Sequence, residues 1–232
     1  ALKEVSCVIE KGEFIGLIGH TGSGKSSLVN LIPRLYDATQ GEVLVDGVNV
    51  KDYDIEALRN KVGIVMQKAV LFKGTIRENM WMGKKGATDE QIDEALEISQ
   101  SKEFVDSKQG RLDYVIEQGG KNLSGGQRQR LTIARAIVRK PDVLILDDSA
   151  SALDFATDAA LRKAIRGMNN SPTVFIVSQR AASLMYADLI IVLDDGQVAG
   201  MGTHDELLAN CEVYKEIYES QFKKADSEGG VA

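Results

Sequence analysis

The segment Gly19-His-Thr-Gly-Ser-Gly-Lys-Ser26 sets glycine, lysine and serine in the order of a phosphate-binding loop: a glycine, four residues, then Gly-Lys-Ser. Glycines let successive backbone N–H groups curl around phosphate oxygens, and a helix that follows directs the positive end of its dipole at the same anion. Lys25 would reach the β- and γ-phosphates of a nucleotide, and Ser26 would offer its hydroxyl to Mg²⁺. Farther along, Val143-Leu-Ile-Leu-Asp-Asp148 is an apolar strand ending in two carboxylates, of which Asp147 would hold the metal directly or through water. Each has a plainer explanation alone: a glycine-rich turn of another α/β protein, and an aspartate capping a helix. Their presence in one chain favours nucleotide and metal. Between them, Leu123-Ser-Gly-Gly-Gln-Arg-Gln-Arg130 opens a helix at Ser124, Gly125 and Gly126, whose free N–H groups form a second anion-binding surface.

The elements that must position these residues can be read from spacing. Glu13 to Ile18 reads as a buried strand ahead of the phosphate loop, and Lys25 to Tyr36 as the helix after it, with Leu28, Leu31, Ile32 and Leu35 on one face. Pro33 predicts a kink there, since proline removes a helical hydrogen bond. Residues 42–50 alternate around Asp46-Gly47, a two-residue hairpin signal. From about 69 to 140 the texture becomes helical. Thr88 to Gln91 matches a capping box, Ile92, Ala95 and Leu96 continue one apolar face, and a helix is predicted from Gln127 to Arg139. Strands return at 143–146, 173–177 and 189–193, the first two separated by a helical stretch from Phe155 to Met168. This alternation predicts an α/β fold with a parallel or mixed sheet.

Composition narrows the class. Of 232 residues, 44% are hydrophobic and 27% charged, which suits a globular domain and argues against disorder or a fibre. The net charge of −6 offers no global attraction to nucleic acid. Residues 121–140 carry six basic and no acidic side chains, but residues 141–160 carry five acidic and no basic ones, so mutual compensation is expected in place of a nucleic-acid patch. The longest apolar runs, such as Val143 to Leu146 and Leu189 to Leu193, fall far below the ~20 residues that span a bilayer, and no signal peptide opens the chain. A soluble piece in a reducing compartment is expected, with Cys7 and Cys211 unpaired.

Taken with the phosphate loop and the paired carboxylates, Leu123 to Arg130 resembles the signature motif of ATP-binding cassette (ABC) transporters. Other elements of that family follow in order: Gln67 after the strand Val62 to Met66 (the Q-loop), Val115-Ile-Glu-Gln-Gly119 (like the exporter X-loop), Ser151-Ala-Leu-Asp154 (the D-loop) and Val177-Ser-Gln-Arg180 (the switch region). The similarity runs from Leu2 to about Tyr218, and Leu71 to Asn79 looks like the exporter branch. The resemblance implies a P-loop NTPase (RecA-like) core, formed by residues 1–68 and 141–222, with an antiparallel β subdomain and an inserted α-helical signature subdomain at about 69–140. Together these make a single nucleotide-binding domain over 1–222. Residues 223–232 are expected to be a frayed tail, and the transmembrane domain is expected to lie outside this chain.

The resemblance also assigns roles. Gly19, His20, Thr21, Gly22, Ser23, Gly24, Lys25, Ser26, Ser27 and Gln67 would contact ATP, while Ser26, Gln67 and Asp147 would hold Mg²⁺. Lys25, Asp148 and Gln179 occupy the catalytic positions. In this family two cassettes pair head to tail, so Ser124, Gly125, Gly126 and Gln127 would cap a nucleotide held by the partner, and Asp154 would lie at the dimer interface.

Two positions depart from the family. Active cassettes usually follow the metal aspartate with a water-polarising glutamate, and carry a histidine in the switch region that contacts the γ-phosphate; this chain has Asp148 and Gln179. Aspartate is one methylene shorter, and a misplacement of ~1 Å can cost on the order of 10²-fold in rate. Glutamine hydrogen-bonds but carries neither proton nor positive charge. The expected protein is therefore the weakly hydrolysing half of a heterodimeric, multidrug-type exporter at the cytoplasmic face of the membrane, partnered by a second cassette and a transmembrane domain, with no nucleic acid. A slowly hydrolysing homodimer, a regulatory ATP-binding module and a chromosome- or repair-type ATPase are the alternatives. The last needs a long coiled-coil insertion, and the interval from Ser26 to Leu123 has no sustained heptads. No aromatic precedes Phe14 to stack on adenine, so the chain is expected to begin inside the cassette.

Overall fold

The computed structural model describes residues 2–148 and 152–228. Two compact units divide the chain: Ala1–Leu58 with Thr173–Ala232, and Arg59–Pro172.

The first unit is organised around β1 (Phe14–Ile18), whose five residues are all buried. A run of apolar residues with no polar alternation suits a parallel strand covered on both faces. After the phosphate loop comes α1 (Lys25–Leu31), which ends earlier than the spacing predicts. Pro33 has no N–H to continue the ladder. Arg34 turns left-handed (φ 52°), and the N–H groups of Arg34 and Leu35 return to the carbonyls of Leu31 (3.1 Å) and Asn30 (3.0 Å), a Schellman closure.

Next, β2 (Leu44–Val45) and β3 (Val48–Asn49) form the expected hairpin. Both turn residues, Asp46 (φ 51°) and Gly47 (φ 76°), take the positive φ that a type I′ turn requires. Val45 and Val50 pack with Leu58, which belongs to α2 (Ile55–Lys61).

The second unit opens with β4 (Val62–Val65), followed by the short β5 (Gly74–Thr75), α3 (Ile76–Trp81), α4 (Asp89–Ile98), α5 (Lys102–Asp106), β6 (Val115–Ile116), α6 (Gly125–Ile137), β7 (Val143–Asp147) and α7 (Phe155–Arg166). β4 and β7 pair in parallel, with Val62 opposite Val143 and Val65 opposite Leu146. α6 lies close on β4: a Cβ on Gly63 would come within 3.0 Å of the Ala136 carbonyl. The capping box expected at Thr88 is present, with Gln91 reciprocating, and others close the starts of α3 (Thr75 and Glu78) and α6 (Ser124 and Gln127).

The basic run of 121–140 behaves differently from expectation. Arg128, Arg130, Arg135 and Arg139 donate to backbone carbonyls of Leu123, Gln100, Val70 and Gly83, and Lys140 pairs with Glu94. These cations stitch loops of their own unit, where carbonyls left over at loop and helix ends need donors, and they do so in place of pairing with the acidic run that follows.

The chain returns to the first unit through β8 (Thr173–Val177), β9 (Leu189–Asp194) and β10 (Gln197–Gly202), then α8 (His204–Asn210) and α9 (Glu212–Glu228). β8 and β9 flank β1 in parallel, and β10 adds an antiparallel edge beyond β9. The backbone of α9 takes in residues 223–228 of the stretch expected to fray.

Candidate nucleotide-binding site

Within the first unit, the carboxyl end of β1 runs directly into the phosphate loop. Gly19 is required by contact: a Cβ there would sit 2.0 Å from the backbone carbonyl oxygen of Leu193 on β9. Gly22 (φ 86°) is required by conformation, and its Cβ direction is open for 4 Å, as an approaching anion needs. Gly24 precedes α1 at φ 99° and, lacking a side chain, supplies no side-chain cap to the helix. The Lys25 ammonium is buried among oxygens of its own loop, donating to the carbonyls of Gly19 (2.8 Å) and His20 (2.8 Å) and to Ser23 Oγ (3.4 Å). His20, Thr21, Gly22, Ser26 and Ser27 are exposed around it. Gly19 to Gly24 form the loop, and Lys25, Ser26 and Ser27 form the first turn of α1.

The switch region leaves the end of β8 in the same unit. Ser178 is buried, its N–H bonded to the Leu17 carbonyl (3.1 Å), and its Oγ accepts from the Arg180 N–H (2.9 Å). Gln179, between them, is exposed. Its main chain is also held by Gln221 of α9, a residue that sequence reasoning missed, because a partner 42 residues away leaves no local signal.

The second unit brings together Gln67 and the strand-end carboxylates. Asp147 is half-buried at the end of β7, and Asp148 turns left-handed (φ 46°), a conformation that aspartate tolerates better than most residues. Gln67 Nε2 donates to Asp148 Oδ2 at 3.0 Å. The signature begins with Ser124, whose Oγ accepts from the Gln127 N–H (3.2 Å) while Gln127 Oε1 accepts from the Ser124 N–H (3.1 Å). Ser124 and Gly125 are exposed, and Arg128 folds back to brace the approach to them through the Leu123 carbonyl at 2.7 Å. Asp154 caps α7: it accepts from the Thr157 N–H (2.9 Å) and hydroxyl (2.8 Å), which hold its carboxyl below the usual range. Ser151, the first D-loop residue, lies outside the described residues. A buried Asn79, bonded to Phe72 N–H and to the carbonyls of Phe72 and Thr75, shapes the exporter-like stretch 71–79 and carries no motif signal of its own.

The side chains assigned to Mg²⁺, namely the Ser26 hydroxyl, the Asp147 carboxylate and the Gln67 amide oxygen, are all hard oxygen donors. That donor chemistry fits Mg²⁺, which takes few protein ligands and completes its shell with phosphate and water.

Residues 2–151 match the ABC transporter family. The chain belongs to that family. It is 40% identical over 95% of its length to candidate multidrug export ATP-binding/permease proteins of Staphylococcus aureus strains NCTC 8325 and bovine RF122. Among solved structures it is similar to a bacterial Atm1-family ABC exporter with ATP bound, with a TM-score of 0.86 and 33% identity over 91% of the chain. The chain spans 38% of the length of those Staphylococcus aureus relatives and 37% of the exporter chain. Within the ABC family it is thus an exporter-type ATP-binding domain with the α/β P-loop NTPase fold. No helix among its described residues is long and apolar enough to cross a membrane.

Proposed function

We propose that this ABC domain binds MgATP and drives substrate export by closing head to tail on a second cassette, with weak hydrolysis at its own site. Lys25 exchanges the Gly19 and His20 carbonyls for β- and γ-phosphate oxygens, and the N–H groups from Gly22 to Ser27 surround the phosphates. Bound Mg²⁺ neutralises phosphate charge. Ser26, Gln67 and Asp147 would hold it. In trans, Ser124, Gly125, Gly126 and Gln127 cap the partner's nucleotide, with Asp154 near the interface. ATP favours closure because ADP lacks the γ-phosphate that both faces would grip.

The observation that carries the reading is that one chain holds two separate surfaces suited to phosphate. One is a glycine loop where Gly19 admits no Cβ; the other is an exposed Ser-Gly helix start. Weak turnover is supported by the hydrogen bond from Gln67 to Asp148, which engages the shortened carboxylate with an amide. Relatives named as ATP-binding/permease proteins support a membrane-spanning partner and a place at the membrane, which we take to be its cytoplasmic face. We place the single nucleotide-binding domain at 1–222, with 69–140 as its signature subdomain, and read the assembly as a heterodimer.

The test is ATP turnover by this chain alone, with its natural partner, and with the partner when Ser124→Ala is present here. Turnover should appear with the partner and fall sharply with Ser124→Ala. A lone chain that turns over as fast as the pair overturns the division of labour, and would fit a homodimer.

A further inference from the structure

Gln221 lies on α9, outside every motif considered above, yet its side-chain amide touches the switch region twice. Nε2 donates to the Gln179 carbonyl at 2.7 Å, and Oε1 accepts from the Ala181 N–H at 2.9 Å. One planar amide thus spans three residues of loop, donating at one end and accepting at the other.

The rest of the loop is tied from the opposite direction. Ser178 N–H reaches Leu17 on β1, and Ser178 Oγ accepts from the Arg180 N–H. Between these anchors, the Gln179 carbonyl has Gln221 as its donor.

α9 is well placed to bear that load. Tyr214 is fully buried and Ile217 nearly so, and with Gln221 they recur at i, i+3 and i+7 on one helical face. The Tyr214 hydroxyl lies 2.7 Å from His204 Nδ1, at the start of α8, and the His204 ring packs against Tyr218 at 5.2 Å between centroids. The amide therefore hangs from a helix already locked to its own unit.

We propose that Gln221 is a positioning residue for nucleotide sensing: by holding the main chain of Gln179 it aims that side chain at the γ-phosphate, and so sets how well the site tells ATP from ADP. This rests on the reading of the switch region given above. Side chains fixed by such outer contacts keep productive geometry, and small misplacement erodes it.

The experiment measures binding of ATP and ADP, both with Mg²⁺, to the full-length transporter by displacement of a fluorescent nucleotide. Gln221→Met keeps length, helix preference and packing while removing both hydrogen bonds. ADP affinity should stay as in the unaltered protein, and the preference for ATP over ADP should fall about fivefold, as expected for loss of about one net hydrogen bond's worth of ordering. In a Gln179→Ala background, the same Gln221→Met change should no longer alter the preference, because the side chain being aimed is gone. Equal weakening of ATP and ADP, unchanged preference, or an undiminished effect in the Gln179→Ala background would overturn the inference. Failure of the unaltered protein to bind ATP would instead overturn the nucleotide reading, and the inference with it.

Discussion

Gln67 Nε2 donates to Asp148 Oδ2 at 3.0 Å, so the carboxylate at the family's water-polarising position is held by the residue of the Q-loop. The amide occupies one oxygen of that carboxylate, and the side chain is also a methylene shorter than the glutamate usual there.

Asp148→Glu combined with Gln179→His should therefore raise turnover in the assembled transporter, by on the order of 10²-fold if reach and charge are what is missing. Because residue 148 sits at φ 46°, glutamate brings a small backbone cost that aspartate avoids. Single-turnover measurement of ATP cleavage checks the outcome; no rise would place the impairment elsewhere.

Lys25→Ala should abolish the stabilisation that MgATP confers on the fold. A ligand present at about 100 times its Kd adds about 2.7 kcal/mol to the native state. Thermal melts with and without MgATP should separate for the unaltered protein and coincide for the variant. If the variant still gains stability from the nucleotide, the ammonium bonded to Gly19 and His20 is not the phosphate anchor.

Two glycines of one loop should respond differently to alanine. At Gly19 the new methyl would meet the Leu193 carbonyl at 2.0 Å, a clash with backbone that should cost about 3 kcal/mol or more. At Gly22 nothing lies within 4 Å, so only the left-handed backbone is penalised, at about 1–2 kcal/mol, while nucleotide affinity falls. Urea denaturation midpoints distinguish the two, and equal losses would contradict the geometry.

Tyr214 should make the fold sensitive to alkali. Its hydroxyl is pushed from 10.0 up to about 12, chiefly by burial, with the neighbouring Tyr218 and Asp205 adding charge repulsion. A folded value above the unfolded one means that the neutral phenol stabilises the fold fully below about pH 10, and that this contribution drains away as pH rises toward about 12. Tyr214→Phe should be less stable by about 1 kcal/mol at neutral pH, through loss of the contact with His204. The gap between the two proteins should then narrow from about pH 10 to 12; a constant gap across that range would refute the shift.

Much of this molecule is legible because its strongest signals are short-range. Asp46-Gly47 announces its turn, since few pairs accept positive φ twice, and Thr88 with Gln91 closes a helix start within four residues. The phosphate loop is readable for the same reason, as are the buried strands Phe14–Ile18, Thr173–Val177 and Leu189–Asp194. Local chemistry also misled where a local rule was carried too far. The apolar spacing of 25–36 suggested one kinked helix, whereas Pro33 and the left-handed Arg34 end it.

Residue types and spacing alone identify the side chains able to hold phosphate and metal, and the elements that carry them. That Gly19 excludes any Cβ, that Gln67 grips Asp148 and that Gln221 holds Gln179 follow from the packed fold alone. The physical reason is one of range. Backbone preferences and caps act over a few residues and leave a pattern in the chain, whereas a hydrogen bond across tens of residues depends on where packing brings each element, and no spacing rule records it.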